Sequence, residues 1–218
     1  MRLRIFFLIG LLLVAACSKK LTTVEAEQSY ASGVRYWKGQ GVAKNLKKAV
    51  GYFQDAAEAG NVDAAIALGY AYQKGEGVKQ NPEEGMKWFL QAAESGNIDA
   101  EYNVGIAYMR GQGIEENKRE AAKWFARAAL KRDGGAAYNL GVMNAKGEGL
   151  KQNLPLAAAW FSLAIAAGRE DAKQDLVQVE AAMNADEKKR AKELTTELLA
   201  TAQRPVDLQG EINMQAPL

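Results

Sequence analysis

Gly39-Gln40-Gly41-Val42 is the first copy of a loop that recurs along the chain and decides its fold. The later copies are Gly75-Glu76-Gly77-Val78, Gly111-Gln112-Gly113-Ile114 and Gly147-Glu148-Gly149-Leu150. Successive copies lie 36 residues apart, with no insertion or deletion between them. A fixed period in the range of about 20–50 residues is typical of a solenoid, whose repeats bury their apolar faces only by stacking on one another. The sequence therefore predicts four stacked repeat units.

When the four repeats are aligned, the same kinds of residue recur at fixed positions, which we call columns. The apolar columns around the loop predict two helices in each unit. In the first helix Ala65, Leu68 and Tyr72 lie three and four residues apart and share one face. The same helix carries a glycine in every unit, at Gly33, Gly69, Gly105 and Gly141. Glycine costs about 1 kcal/mol of helix propensity at each site, so we interpret this column as a place where two helices approach closely.

The second helix carries alanine and phenylalanine columns, and another aromatic residue precedes each phenylalanine. These aromatic pairs are Tyr52-Phe53, Trp88-Phe89, Trp124-Phe125 and Trp160-Phe161. Such a ladder could offer a stacking platform to sugars or bases. Its position between alanine columns favours the core of the solenoid instead.

Polar residues at fixed positions predict where the second helices begin and end. Asparagine, a good N-cap, follows each loop, at Asn45, Asn81, Asn117 and Asn153. Glu84 and Glu120, at the third helical position, predict partial capping boxes. Three second helices end in a glycine, at Gly60, Gly96 and Gly168. Arg132 occupies that column in the third unit, so we expect a looser junction there.

These residues resemble the Sel-one-like repeat (SLR) family, a subclass of tetratricopeptide-type helical repeats. The resemblance rests on the Leu-Gly-x-x-Tyr run, the Gly-x-Gly-Val loop, the Ala-x-x-x-Trp/Tyr-Phe helix and the Ala-Ala-Glu-x-Gly ending of residues 56–60 and 92–96. It covers residues 26–203 and implies an all-α fold, a right-handed α/α superhelical solenoid of helix-turn-helix units. Residues 26–169 then hold four 36-residue units.

The C-terminal end departs from the repeat. Residues 170–203 lack the glycine loop and are rich in charged side chains, which predicts a polar capping helix pair. Residues 204–218 contain Pro205, Pro217 and several glutamines, and we expect a flexible tail there.

The N-terminal segment predicts a signal peptide over residues 1–16. Arg2 and Arg4 precede an apolar run of twelve residues, which forms a helix of about 18 Å and is too short for a hydrocarbon core of about 30 Å. The ending Val14-Ala15-Ala16-Cys17 resembles a bacterial lipobox, which implies lipidation of Cys17 and a lipidated linker over residues 17–25. Ser18 resembles the pattern that sorts lipoproteins to the outer membrane. The alternative is a stray cysteine at the end of an ordinary signal peptide.

Composition narrows the possible chemistry. The chain has no histidine and one cysteine, which removes histidine bases, Ser–His or Cys–His nucleophiles and mixed-ligand zinc sites. Removing Arg2 and Arg4 with the signal peptide lowers the net charge from +2 to zero. The remaining chain then has no excess of positive charge with which to bind nucleic acid. The Gly-x-Gly loop follows a helix and lacks a third glycine, unlike a phosphate-binding loop. We expect no catalytic residue, cofactor, metal or nucleic-acid partner.

The candidate binding surface is the first-helix side of the stack. In such superhelices the first helices line the concave face, and the Leu-Gly-x-x-Tyr register places an apolar, tyrosine-rich stripe there. The predicted groove residues are Tyr30, Ile66, Tyr70, Tyr102, Ile106 and Tyr138, with the four tyrosines as anchors. The alternative is that part of this stripe packs against the neighbouring first helix.

Charged columns flank the stripe. Basic residues end the first helices, at Lys38, Lys74, Arg110 and Lys146, and the last three are predicted to contact an acidic partner or a carboxylate. Acidic residues begin these helices, at Glu27, Asp63, Asp99 and Asp171. Such charges also offset the helix dipole, by about 0.3–1 kcal/mol each. The dipole explains both columns at once and is compatible with a binding role.

Together these features predict a monomeric scaffold rather than an enzyme, anchored by lipid to the outer membrane, facing the periplasm and binding a protein or peptide partner. Three alternatives remain: an assembly factor for envelope polysaccharide or cell-wall machinery, a surface-exposed virulence or host-interaction lipoprotein, and a β-lactam-binding enzyme. The last is disfavoured because no serine has a lysine three positions on, and because the paired cysteines of β-lactam-active SLR proteins are missing.

Overall fold

Residues 21–202 are described by a computed structural model of the chain. Within this range the chain forms ten α-helices and no strand, which confirms the all-α prediction. The helices are α1 (Thr23–Lys38), α2 (Leu46–Glu58), α3 (Val62–Lys74), α4 (Pro82–Glu94), α5 (Ile98–Arg110), α6 (Lys118–Leu130), α7 (Gly134–Lys146), α8 (Leu154–Ala166), α9 (Ala172–Ala182) and α10 (Ala185–Ala202). None of these described helices is both long and apolar enough to cross a membrane.

Helices α1–α8 form four pairs, which we call units one to four. Each odd-numbered helix packs most extensively on the even-numbered helix that follows it, and each even-numbered helix packs on the next unit. The chain therefore stacks its units in sequence order, in step with the 36-residue period. The predicted signal peptide, Cys17 and the tail at residues 204–218 lie outside the described residues.

Helix α1 begins at Thr23, within the segment that the sequence assigned to the linker. The Thr22 side chain accepts a hydrogen bond from the backbone N–H of Glu25 at 3.3 Å, and the Glu25 carboxylate accepts one from the N–H of Thr22 at 2.7 Å. This reciprocal pair is a capping box. It satisfies two backbone donors and fixes the helix start.

The second helices begin at the predicted asparagines. The side chain of Asn81, for example, accepts a hydrogen bond from the backbone N–H of Glu84 at 3.2 Å. The predicted capping boxes are absent from α4 and α6, because the N–H of Asn81 already donates to the Tyr72 carbonyl and the N–H of Asn117 to an equivalent carbonyl. Glu84 instead forms an ion pair with Lys87 at 2.7 Å.

The glycine column of the first helices is a helix-packing site, as predicted. A Cβ atom on Gly105 would lie 2.6 Å from the ring of Phe125, and one on Gly69 would lie 2.5 Å from the ring of Phe89. The Gly33 and Gly141 positions are equally tight against their own phenylalanines. Each phenylalanine is buried. Any larger residue in the glycine column would have to displace a core ring.

In units two to four, the second glycine of the loop joins the unit to the one before it. A Cβ atom on Gly77 would collide with the Leu46 carbonyl oxygen, and one on Gly113 would collide with the Pro82 carbonyl oxygen. Gly149 meets the start of α6 in the same way. These glycines also have positive φ angles, which glycine adopts without strain. The loop therefore packs on the N-terminus of the preceding second helix.

Unit one has a polar outer face in place of this inter-unit contact. Ala64, Leu68 and Ala71 of α3 are fully buried against the preceding unit. The corresponding residues of α1 are Gln28, Ser32 and Arg35. Polar residues in place of apolar ones are expected at the open end of a repeat stack. Residues 21–38 therefore form an N-terminal cap.

Arg132 adopts the left-handed conformation of the glycines that it replaces. Its φ angle is 72°, and among the described residues no other non-glycine residue has a positive φ angle. Its N–H donates to the Ala129 carbonyl, and the N–H of Asp133 donates to the Ala128 carbonyl, as in the equivalent turns of the other units. The expected looser junction after α6 is therefore wrong. The turn is the same, and Arg132 bears the backbone strain.

The last two helices close the other end of the stack. Helices α9 and α10 both pack on α8, and α10 also reaches α6. Ala191, Leu194 and Leu198 of α10 are buried in this contact. As a result Trp160 is only 5% exposed, whereas Tyr52, in the same column of unit one, is 36% exposed. The aromatic ladder is therefore core at the C-terminal end and partly open at the N-terminal end.

Candidate functional site

Successive first helices lie side by side and form what we call the first-helix groove, lined by α1, α3, α5 and α7. Side chains of α3 bond to α5 and to the loop that follows α5, and side chains of α1 and α3 share a cleft. Most of the predicted groove residues are half-buried, namely Tyr30, Ile66, Tyr102, Ile106 and Tyr138. The others are exposed, namely Tyr70, Lys74, Arg110 and Lys146. The structure therefore brings the predicted stripe to one surface.

Each groove tyrosine rests on the core phenylalanine of its own unit. Tyr30 contacts Phe53 with ring centroids 5.7 Å apart, and Tyr70 meets Phe89 edge-on at 5.1 Å. Tyr102 and Tyr138 make the same contact with their own phenylalanines, at 5.8 and 5.7 Å. One edge of each tyrosine therefore belongs to the core, and the remaining surface is available to a partner.

The two ends of the groove differ in how far their tyrosines are engaged. The Tyr138 hydroxyl donates to Asp175 of α9 at 3.0 Å, and the Arg169 guanidinium lies 4.4 Å from the ring centroid. Burial and then the bond to Asp175 raise the pKa of Tyr138. Burial, followed by the nearby Asp63 carboxylate, also raises the pKa of Tyr30. Tyr138 therefore offers a partner less free surface than the sequence suggested.

A cleft of about 400 Å³ lies between α1 and α3 at the N-terminal end of the groove. We call it the α1–α3 cleft. Its lining residues are Tyr30, Val34, Trp37, Lys38, Phe53, Ala67, Tyr70, Lys74 and Glu76. The cleft therefore combines four aromatic rings with two lysines. Tyr30, Tyr70 and Lys74 were predicted from the sequence as groove residues.

The flanking charges occupy the ends of the first helices. Lys74, Arg110 and Lys146 lie in the last turns of α3, α5 and α7, and Asp63 and Asp99 lie in the first turns of α3 and α5. This arrangement offsets the helix dipoles. In α1 the first-turn acid is Glu25 rather than the predicted Glu27, because that helix begins at residue 23. Glu25, Lys74 and their equivalents therefore have a structural role whatever else they bind.

Unit three contains a buried ion cluster that was not predicted from the sequence. Glu101 is completely buried, and its Oε1 atom accepts hydrogen bonds from Arg127 Nε and Lys131 Nζ, both at 3.0 Å. Among the described residues its Oε2 atom is buried without a hydrogen-bond partner. The available signal was a glutamate in a column that is alanine at Ala65 and Ala137. The cluster ties α5 to α6.

No group of three or more metal-ligating residues, among those described, is placed to hold a metal ion. Stacked helix pairs with an aromatic groove on one side define a helical-repeat protein of the α-solenoid class.

The chain belongs to the Sel1 repeat family, whose model matches residues 25–61, 62–97, 98–133 and 135–168. The SLR resemblance found in the sequence is thereby confirmed. Repeats of this family generally act as non-catalytic scaffolds that mediate protein–protein interactions. No curated protein is a significant match to this chain.

Solved structures similar to the chain include two helical-repeat proteins. A Sel1 repeat protein from Oxalobacter formigenes shares 30% identity with a TM-score of 0.69, over 81% of this chain and 73% of that one. The second is c5321, a protective antigen present in uropathogenic Escherichia coli strains and displaying an SLR fold, with 26% identity and a TM-score of 0.71. The likeness covers 81% of this chain but 38% of c5321, so the chain spans well under half of that protein's length.

Proposed function

We propose that the protein is a lipid-anchored scaffold that binds a protein or peptide partner through the first-helix groove. The observation that carries this proposal is the arrangement of Tyr30, Tyr70 and Tyr102, whose rings share one surface across three units. Tyrosine provides a large contact area at a small cost in side-chain entropy, which suits protein recognition. The family's general role in protein interaction supports it.

The groove surface is braced by contacts with the core, which favours binding without rearrangement. Its tyrosines are braced by core phenylalanines, and Tyr70 also accepts a hydrogen bond from Asn103 Nδ2 at 2.8 Å. Side chains already held in place lose little further freedom when a partner binds. The groove therefore provides a preorganised contact area along the stack.

The anchor in this proposal is a lipid on Cys17, with the protein at the outer membrane facing the periplasm and acting as a monomer. The support is the sequence alone: the basic and apolar N-terminal segment and the single cysteine behind it. Since α1 begins at Thr23, the tether from Cys17 spans at most about 20 Å. Unit one would then stay close to the lipid surface. Labelling with a palmitate analogue tests the anchor, because Cys17→Ala should abolish the signal.

Affinity capture from envelope extracts tests the groove. We expect Tyr70→Ala with Tyr102→Ala to lower partner recovery by about tenfold or more, because both changes remove aromatic contact area. The matched control is Tyr52→Ala, which removes a tyrosine of comparable exposure from the second-helix side. Helical circular dichroism verifies folding. Equal recovery with the double variant and the wild type would contradict the groove assignment.

A further inference from the structure

Between α3 and α5 the first-helix groove is closed by two side-chain hydrogen bonds. Asn103 Nδ2 donates to the Tyr70 hydroxyl at 2.8 Å, and Gln73 Nε2 donates to Gln112 Oε1 at 3.1 Å. Both bonds join α3 to unit three, one through Asn103 of α5 and the other through Gln112 of the loop that follows α5. They bridge the groove between units two and three.

The α1–α3 cleft is open because neither pair exists there. The residues one period earlier are Val34 and Ala67 in place of the tyrosine–asparagine pair, and Trp37 and Glu76 in place of the glutamine pair. Valine and alanine are too short to meet across the groove and have no polar group to bond with. All four line the cleft. These four residues, which differ from their counterparts at the next junction, therefore leave the cleft between α1 and α3 open.

The walls of the cleft suit a large apolar group. Tyr30 and Trp37 both contact Phe53, with ring centroids 5.7 and 5.9 Å away, and Tyr70 closes the opposite side. A volume of about 400 Å³ lies within the range of about 300–1,000 Å³ that is usual for ligand pockets. An aromatic or long aliphatic side chain would bury its surface among these rings.

The charges of the cleft favour an anionic neighbour for that apolar group. Lys38 and Lys74 end α1 and α3 and are both exposed, and the Lys74 ammonium lies 5.8 Å from the Tyr70 ring centroid. Glu76 is the one acidic residue among those that line the cleft. Two ammonium groups beside the rings disfavour a cationic occupant and attract a carboxylate.

We infer that the α1–α3 cleft takes a large apolar side chain from a partner polypeptide, and that an aspartate or glutamate next to it pairs with Lys38 and Lys74. This inference rests on the proposed function and adds where on the groove the main contact with the partner lies. It places recognition in units one and two, where the junction is open. The tyrosines farther along would then add contact area rather than specificity.

A plugged variant tests the inference. Val34→Tyr with Ala67→Asn transfers the crossing pair of α3 and α5 into the cleft, using residues that already fit at the next junction. The matched control is Gln54→Tyr, which adds a tyrosine at an exposed position of α2, outside the first-helix groove. The control adds a tyrosine to the protein but leaves the groove and the cleft unchanged.

The probe is a phage-displayed library of random twelve-residue peptides, selected on the full-length wild-type protein. We expect enriched sequences to contain an aromatic residue or leucine beside aspartate or glutamate. Their affinity should fall by about tenfold or more in the plugged variant, and similarly in Lys38→Glu with Lys74→Glu, while Gln54→Tyr should bind as the wild type does. The lysine variant provides a second test if the plugged variant does not fold.

Two outcomes would overturn the inference: enriched peptides without the apolar–acidic combination, or equal binding to the plugged variant and the wild type. Neither would remove the proposed function if Tyr70→Ala with Tyr102→Ala still lost partner capture. Conversely, capture that survives the double tyrosine variant refutes the groove as a whole. The two failures are therefore distinguishable.

Discussion

At the scale of single residues, the stack depends on glycines at positions where there is no room for a side chain. The glycine column brings each first helix against a buried phenylalanine ring, so its helix-propensity cost is offset by close packing. The same residue type at an exposed helical position has no such role. A Cβ atom on Gly51 of α2 would meet no neighbouring side chain or packed backbone within 4 Å. The two kinds of glycine should therefore respond oppositely to an added methyl group.

We predict that Gly105→Ala destabilises the protein by about 1–3 kcal/mol, because the added methyl group would overlap the Phe125 ring. Gly51→Ala should instead stabilise it by about 0.5–1 kcal/mol through helix propensity alone. Urea denaturation followed by circular dichroism measures both. A stabilising Gly105→Ala would contradict the close-packing interpretation.

Arg132 gives a second prediction at this scale. Its φ angle of 72° is strained for a residue with a side chain, so Arg132→Gly should raise the free energy of unfolding by about 1 kcal/mol. Arg190→Gly, at an exposed position in the interior of α10, should lower it by about the same amount. Thermal denaturation of the two variants gives the sign of each change. Destabilisation by Arg132→Gly would show that the arginine makes a compensating contact.

At the scale of elements, the helix pair of unit three is joined by an ion cluster at a position where units two and four have alanine. Glu101 is completely buried and is neutralised by Arg127 and Lys131 from α6. The equivalent residues of unit two are Ala65, Gln91 and Ser95. A buried ion pair is costly to break but often replaceable by uncharged packing.

We therefore predict that Glu101→Gln alone costs about 2–4 kcal/mol, since it leaves two cations without their buried partner. The triple variant Glu101→Ala, Arg127→Gln and Lys131→Ser recreates unit two and should lie within about 1 kcal/mol of the wild type. Chemical denaturation of both variants tests this. Equal losses in the single and triple variants would mean that the ion cluster itself stabilises the junction.

At the scale of the whole molecule, the units are coupled through the second loop glycine. Gly113 and Gly41 share a positive φ angle, but only Gly113 has a preceding unit to contact. Both alanine variants therefore carry the same backbone strain, and they differ in the inter-unit clash. Gly113→Ala should cost about 1–3 kcal/mol more than Gly41→Ala. It should also lower the urea m-value, as unfolding of the stack becomes less cooperative. Equal effects would show that the loops do not couple the units.

Much of this organisation follows from the sequence. The period fixes the number of units, and the glycine, asparagine and phenylalanine columns predict helix packing and helix starts because each has a local physical cause. The groove stripe was found from the register of the tyrosines. The differences between one junction of the groove and the next could not be predicted in this way. The bond between Tyr70 and Asn103, for example, joins residues 33 positions apart that meet only because their first helices are neighbours.

The remaining features depend on residues that depart from the repeat. Tyr138 is held by Asp175 from α9, a helix outside the 36-residue pattern. Val34 and Ala67 open the α1–α3 cleft by being shorter than their counterparts. Such departures are visible in an alignment of the units, but their effect becomes clear only when the first helices are known to be neighbours.

In-cell crosslinking most directly tests the claim that the first-helix groove binds a protein partner. A photoreactive phenylalanine analogue replaces Tyr102 in the groove or, as the control, exposed Gln54 on α2. Mass spectrometry then identifies the adducts. We expect a discrete protein adduct from position 102 and none from position 54. Adducts from position 54 alone, or from neither position, would contradict it.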